Sequence, residues 1–195
     1  DKYSIDFDGT ADGQGFVDVV NANLTSSPIV VDIPSGASMG TYNANLTILN
    51  SSTGCVSTTK AFTVKIDENP TVSLGTAPNV CKGGTSAELT YTASAGSPDR
   101  YSINFDGVAE GQGFADVSNQ VLGASPLSIT VPAAAAVNAY NATITFINST
   151  TGCNSSPMAF SLNVNAIPSI SIGADPEFCE GTTSGVLPYS AVTGS

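Results

Sequence analysis

The chain has no histidine, no tryptophan, and only five lysines and arginines among its 195 residues. Without histidine, the usual neutral-pH general base is missing, and the four cysteines alone supply zinc ligands poorly. Without tryptophan, the largest aromatic platform for stacking a sugar ring is missing. Sixteen acidic residues against five basic ones give a net charge of −11. That balance excludes the basic footprint of a nucleic-acid binder, argues against anionic membrane surfaces, and admits cations. Charged residues make up 11% of the chain, well under the usual ~25%, so Ser, Thr, Asn, Gly and Ala carry the surface. No apolar run approaches the roughly 18 residues of a membrane span. The longest stretch of small apolar residues is Ala133–Val137, so no membrane insertion is expected of this segment. A strand-like pattern begins at Asp1, and the chain reads as part of a longer protein.

What is present is one sequence written twice. Asp1-Lys-Tyr-Ser-Ile-Asp-Phe-Asp-Gly9 returns as Asp99-Arg-Tyr-Ser-Ile-Asn-Phe-Asp-Gly107, Gly54-Cys55 as Gly152-Cys153, and Cys81 as Cys179. Aligning residues 1–97 on 99–195 needs no gap and gives 45 identities. The 98-residue offset is too long for a solenoid turn of about 20–50 residues and matches one β-sandwich domain of about 100.

Period-2 alternation dominates both copies, as expected of half-buried strands. Tyr3, Ile5 and Phe7 alternate with Ser4 and Asp6, and Ile29, Val31 and Ile33 form a second strand closed by Pro34. Tyr42, Ala44, Leu46 and Ile48 follow, then Phe62, Val64 and Ile66. The only helical expectation is one turn at Ala133–Ala136, after Pro132. Short strands at regular spacing predict an all-β chain of tandem, immunoglobulin-like sandwiches arranged end to end. Asn69-Pro70 and Ile167-Pro168 read as hinges, because proline cannot extend a ladder. On that phase 1–68 is the back part of a first repeat, 69–166 a complete repeat, and 167–195 the front of a third. Strands of the complete repeat fall at 70–75, 86–94, 101–106, 127–132, 140–148 and 158–165. The alternative phase takes 1–98 and 99–195 as two units.

The order of motifs carries a resemblance. A hinge proline, Cys81-Lys-Gly-Gly-Thr, Tyr101-Ser-Ile-Asn-Phe-Asp, Ser-Ile-Thr-Val-Pro132, Tyr140-Asn-Ala-Thr-Ile-Thr and Thr-Gly-Cys153 follow one another. This order resembles the PKD-like, immunoglobulin-like tandem repeats of giant Bacteroidetes cell-surface adhesins of the SprB-type gliding-motility class. The resemblance covers the whole chain. It implies type IX secretion, an extracellular cell-surface location, and a long filament serving cell adhesion and gliding motility. The chain departs from ordinary PKD domains, which carry Trp-Asp-Phe-Gly-Asp-Gly where Ser4-Ile5-Asp6-Phe7-Asp8-Gly9 stands.

Four carboxylates, Asp6, Asp8, Asp12 and Asp18, lie within 13 residues among glycines, and the second copy offers Asn104, Asp106, Glu110 and Asp116. Hard cations favour several oxygens on a flexible loop, so calcium is the one cofactor these residues admit, although none is required. The spacing is not that of an EF-hand. The competing reading is a solvated acidic loop tied by Asx-turns. As a glycosidase pair these carboxylates lack an aromatic-lined cleft, and no nucleophile motif accompanies them, so no enzyme is expected. Gly13-Gln14-Gly15 and Gly111-Gln112-Gly113 suit a tight loop, not a phosphate cradle. Tyr42 and Tyr140 resemble the tyrosine corner of sandwich domains. The glycosylation sequons at Asn23, Asn45, Asn50, Asn141, Asn148 and Asn154 read as strand-face polarity.

One cysteine pair per period reads as disulfides in an oxidising compartment. Three pairings stand open: Cys81 with Cys153; Cys55 with Cys81 and Cys153 with Cys179; or a seam bond between successive repeats.

Two function classes remain. One is a structural stalk whose partners are neighbouring repeats of the same chain. The other is a multivalent extracellular module that engages a surface polysaccharide or calcium through repetition. Nearly every Tyr and Phe falls on an alternating core position; only Phe16 and Phe114, in the acidic loop, are left over as candidate contact aromatics. That placement favours the stalk.

Overall fold

The computed structural model describes residues 1–193. They are mostly β-strand, with two single-turn helices. The chain divides after Glu68 into two compact units, a boundary at the Asn69-Pro70 hinge. Residues from 167 onward cluster with the second unit and are not divided from it.

The first unit holds β1 (Lys2–Phe7), α1 (Gly9–Asp12), β2 (Val19–Asn23), β3 (Gly40–Leu49) and β4 (Lys60–Ile66). They form one sheet in the order β2-β1-β3-β4, all neighbours antiparallel. Alternation sets the inner face: Ile5, Phe7, Tyr42 and Ala44 are buried with Ala11 and Phe16. Ile29, Val31, Leu46 and Phe62 pack against that cluster and are only partly buried.

The second unit opens with β5 (Thr71–Leu74), β6 (Asn79–Cys81), β7 (Ser86–Leu89) and β8 (Tyr91–Ala95). It continues with β9 (Arg100–Phe105), α2 (Gly107–Glu110), β10 (Val117–Val121), β11 (Leu127–Thr130), β12 (Asn138–Ile147) and β13 (Met158–Asn165). A five-stranded sheet runs β10-β9-β12-β13-β6, antiparallel except where β6 lies parallel to β13. β5 pairs with β8, and β7 with β11. One core joins the two sets. Ile103, Phe105, Tyr140, Ile144, Phe146, Leu162 and Val164 from the large sheet share it with Ala87, Leu89, Leu127 and Ile129. The hydrophobic faces of both sets are thus closed against each other, as a layered β fold requires. β14 (Ser169–Ile172) and β15 (Tyr189–Thr193) then pair antiparallel with each other.

Elements of the two copies recur at one offset: β1 and β9, α1 and α2, β2 and β10, and β3 and β12 all begin 98 residues apart. So do β5 and β14, and β8 and β15.

Three expectations are corrected. Residues 29–33 carry no strand, although their counterparts include β11; β11 exists by pairing with β7, for which the first unit has no equivalent. The helical turns form in the acidic loops and not at Ala133–Ala136, because Asp8 and Asp106 supply N-caps there. Strands β2, β6 and β10 form outside the alternating segments, since each is short and mostly exposed.

Candidate functional site

The acidic loops are the densest cluster of chemistry-bearing residues, and each carboxylate in them has its own place. Asp8 Oδ1 accepts hydrogen bonds from the backbone N–H groups of Thr10 and Ala11 at 3.1 and 2.9 Å. Its Oδ2 accepts from the Asn43 amide at 2.8 Å. Asp106 does the same for Ala109 and Asn141, at 2.8 and 3.3 Å. These are N-cap bonds, which satisfy donors the first helical turn leaves free. The Ala11 N–H chiefly, then the Asn43 amide, holds the Asp8 carboxyl below its ordinary value.

Asp18 and Asp116 act elsewhere in the same loops. Their Oδ1 atoms accept the backbone N–H groups of Phe7 and Phe105, each at 2.8 Å. The far end of each loop is thereby tied to the strand that precedes it, while Asp8 and Asp106 tie its start to Asn43 on β3 and Asn141 on β12. Asp6 lies exposed on β1 opposite Asn45, while Asp12 and Glu110 lie exposed on α1 and α2. Among the described residues, no three His, Cys, Asp or Glu side chains come together as an ion site.

The glycine-flanked glutamines complete the loops. Gln14 Oε1 accepts from the Ser38 N–H at 2.9 Å, and Gln112 Oε1 from the Ala136 N–H at 3.0 Å. Each pins the acidic loop to the segment before β3 or β12. The Tyr42 hydroxyl donates to the Ser38 carbonyl at 2.6 Å, and the Tyr140 hydroxyl to the Ala136 carbonyl at 2.7 Å, as a tyrosine corner does. Glutamine and tyrosine therefore hold opposite sides of the same peptide segment. The glutamines' role was invisible in the sequence; identical Gly-Gln-Gly triplets in both copies were the one signal for it.

Phe16 and Phe114 are corrected from exposed loop aromatics to core residues, each 4% exposed. Phe16 stacks between Phe7 and Tyr42 with ring centroids 4.9 and 5.0 Å away. Phe114 repeats this between Phe105 and Tyr140. The helical turn folds each phenylalanine back, through the bonds from Phe16 N–H to Ala11 and from Phe114 N–H to Ala109.

Beside each loop lies a cleft. In the second unit it measures about 490 Å³ and is lined by Tyr101, Phe105, Phe114, Asp116 and Pro132, among others. The first unit has one of about 290 Å³ at the matching place, beside Tyr3, Phe7, Asp18 and Pro34. The aromatics of the larger cleft are buried, and burial pushes the Tyr101 hydroxyl above its ordinary pKa. The larger cleft therefore presents no aromatic stacking face to solvent. Of the sequons, Asn50 and Asn148 accept local backbone N–H groups on their side-chain oxygens, and Asn141 donates its amide to Asp106.

All four cysteines are free thiols. The pairing of Cys81 with Cys153 inside one unit is corrected by topology. Cys81 lies beside Asn165, where β13 ends, and Cys153 bonds to Asn148 before β13 begins. The eight residues of β13 span roughly 23 Å at ~3.3 Å per residue, whereas a disulfide needs Cα atoms within about 7 Å.

No protein-family profile matches this chain, and no curated protein sequence matches it.

Proposed function

We propose that this chain belongs to the structural stalk of a long, secreted cell-surface adhesin filament, serving adhesion and gliding motility. On this reading 69–166 is one complete immunoglobulin-like sandwich, 1–68 the back part of a preceding repeat, and 167–195 the front of a following one, set end to end. The observation that carries it is the recurrence of the same elements at a 98-residue offset. A chain that copies a module builds length or multivalency before it builds one active site. The strand arrangement supports the immunoglobulin-like assignment: the first strand of the unit is split, β5 joining one layer and β6 lying parallel to β13 on the other.

The loops support the same reading. Asp8, Asp18, Gln14 and their counterparts are occupied in tying loops to strands, which stiffens a module. The glycan-binding alternative would use the recurring clefts, but Phe114 and Tyr101, which line the larger one, are buried. No catalytic role is assigned.

Small-angle scattering of the chain at low concentration tests the reading. A rod-like profile is expected, and a compact globule would overturn it.

A further inference from the structure

The two layers that enclose the core of the second unit differ in width. The large sheet has five strands. The layer facing it is three strands wide: β5, then the β7–β8 run, then β11. The cleft of about 490 Å³ lies where the facing layer stops short, between β9 and β10 of one sheet and β11 of the other. Tyr101, Phe105, Phe114 and Val117 give it an apolar floor. Ser128 and Thr130 line its rim and are exposed.

Main-chain groups are left over along that rim. Among the described residues, β7 is the one strand that pairs with β11. The Val131 N–H donates to the Thr85 carbonyl at 2.9 Å, and the register Ile129↔Ala87 and Leu127↔Leu89 continues that phase. In an antiparallel ladder only alternate residues exchange bonds with the partner strand. The N–H and C=O groups of Ser128 and Thr130 therefore point away from β7, into the cleft. The opposite rim offers no such edge. β10 is broken by a bulge between Val117 and Gln120, where Asn119 adopts a φ of 50°. The Asn119 N–H donates to the Ser102 hydroxyl at 2.9 Å, and its carbonyl accepts from the Arg100 guanidinium at 3.1 Å. A bulge of this kind keeps an edge from pairing further.

Charge narrows the occupant. Among the described residues lining the cleft, Asp116 is the one that carries a charge. Its Oδ1 holds the Phe105 N–H at 2.8 Å, whereas its Oδ2 has the Asn104 amide only at 3.4 Å. Gly113 of the same loop lies against the Pro132 ring, which places Asp116 toward the Thr130 end of β11.

We propose that this cleft binds an extended peptide segment of another protein, which adds to β11 as an antiparallel strand. Its main chain pairs with Ser128 and Thr130, and its alternate apolar side chains lie on the floor. An antiparallel strand begins where β11 ends, so a basic residue at its N-terminal end meets Asp116. Strand addition draws affinity from main-chain bonds and selectivity from alternate side chains. The buried rings serve as a floor and need no exposed stacking face. The inference does not depend on the stalk role.

The probe is the synthetic peptide Lys-Val-Thr-Val-Thr-Val, amidated at its C-terminus and titrated to millimolar concentration into the isotope-labelled full chain. The Ser128 and Thr130 amide resonances should shift and gain protection from hydrogen exchange. The same peptide N-methylated at both threonines, whose N–H groups face β11 in this register, should bind about tenfold more weakly or worse. Thr130→Pro removes an N–H that the β7 ladder does not use, as an edge strand tolerates, and should abolish binding. Asp116→Asn keeps an oxygen for the Phe105 N–H and should weaken binding about two- to fivefold. Unshifted Ser128 and Thr130 amides at millimolar peptide, or equal binding by the N-methylated peptide, overturns the proposal. The same amides shifting with protein concentration alone would make a second copy the occupant and overturn it too. Unchanged affinity in Asp116→Asn overturns the choice of a basic partner.

Discussion

Residues 29–33 and 127–131 occupy the same place in the repeat and alternate in the same way, yet only the second stretch contains a strand. Ile29 and Val31 are half-buried where Leu127 and Ile129 are 7% and 4% exposed. By contrast β1 and β9, β3 and β12, and the helical turns between them form alike in both copies. The difference lies in the partner. β1 and β3 find each other within the first 49 residues, whereas β11 needs β7, about 40 residues before it. Alternation makes a segment competent to be a strand; a ladder partner and a facing layer make it one.

Core truncation should break the symmetry most. Ile144 is fully buried, and Ile144→Ala should cost about 2–5 kcal/mol. Its counterpart Leu46 is half-buried at an apolar cleft, and Leu46→Ala should cost about 1 kcal/mol or less in dilute solution. Urea unfolding followed by far-ultraviolet circular dichroism measures both. Equal losses at dilution would mean that the first unit closes by itself.

The tyrosine corners sharpen the comparison from the other side. Tyr42 and Tyr140 are 4% and 1% exposed, and their hydroxyls make the same bond. Tyr42→Phe and Tyr140→Phe should each cost about 1 kcal/mol, measured by the same unfolding curves. A loss confined to Tyr140 would show that the first unit's corner is not formed in solution.

The residues explain how far the sequence could be read. Strands β1, β3, β9, β12 and β13 were legible because each buries one face and exposes the other over six or more residues. β10 was missed because four of its five residues are exposed, and β6 because three residues carry no period. The helical turns were missed because Gly9 and Gly107 argue for a loop, and only the capping bonds of Asp8 and Asp106 reverse that. The tyrosine corners were legible by position alone. The placement of Phe16 and Phe114 was not, since a chain that folds back through a helical turn brings its next aromatic to the sheet out of strand phase. Cys81 lies beside the end of β13 and Cys153 before its start, so the topology forbids the simplest pairing. Peptide mapping of chain oxidised under non-reducing conditions should therefore find no Cys81–Cys153 link within a molecule.

Acid should act on the loops in a defined direction. The Asp8 carboxyl sits below its ordinary 3.8 through the Ala11 N–H and the Asn43 amide. The Asp99 carboxyl sits below it through the Ser149 hydroxyl and N–H. A depressed carboxyl contributes stability above its unfolded value and loses it as pH falls through the lower folded value. Stability should therefore decline as pH falls below about 3.8, and Asp8→Asn or Asp99→Asn should each flatten that decline. Asp99 is solvent-exposed and Asp8 only partly buried, so the effect is smaller than that of the tyrosines. An acid slope unchanged by both substitutions would assign the decline to other carboxylates.

Calcium should do least. An ion that binds only the native state raises its stability by RT ln(1 + [L]/Kd), so a site among Asp6, Asp8, Asp12 and Asp18, or among Asp106, Glu110 and Asp116, would raise the melting temperature. Binding there would compete with bonds already made. Asp8 and Asp106 cap helical turns, and Asp18 and Asp116 hold the Phe7 and Phe105 N–H groups. The exposed Asp6, Asp12 and Glu110 remain available, but an ion held by them alone would keep most of its water, and its gain would be small. Melting the chain in millimolar calcium and again in chelator should give the same midpoint in both units. A rise in calcium that Asp6→Asn removes would place an ion at the first loop. A rise that Glu110→Gln removes would place it at the second. Either result would show the two loops to be ligand sites and not only braces.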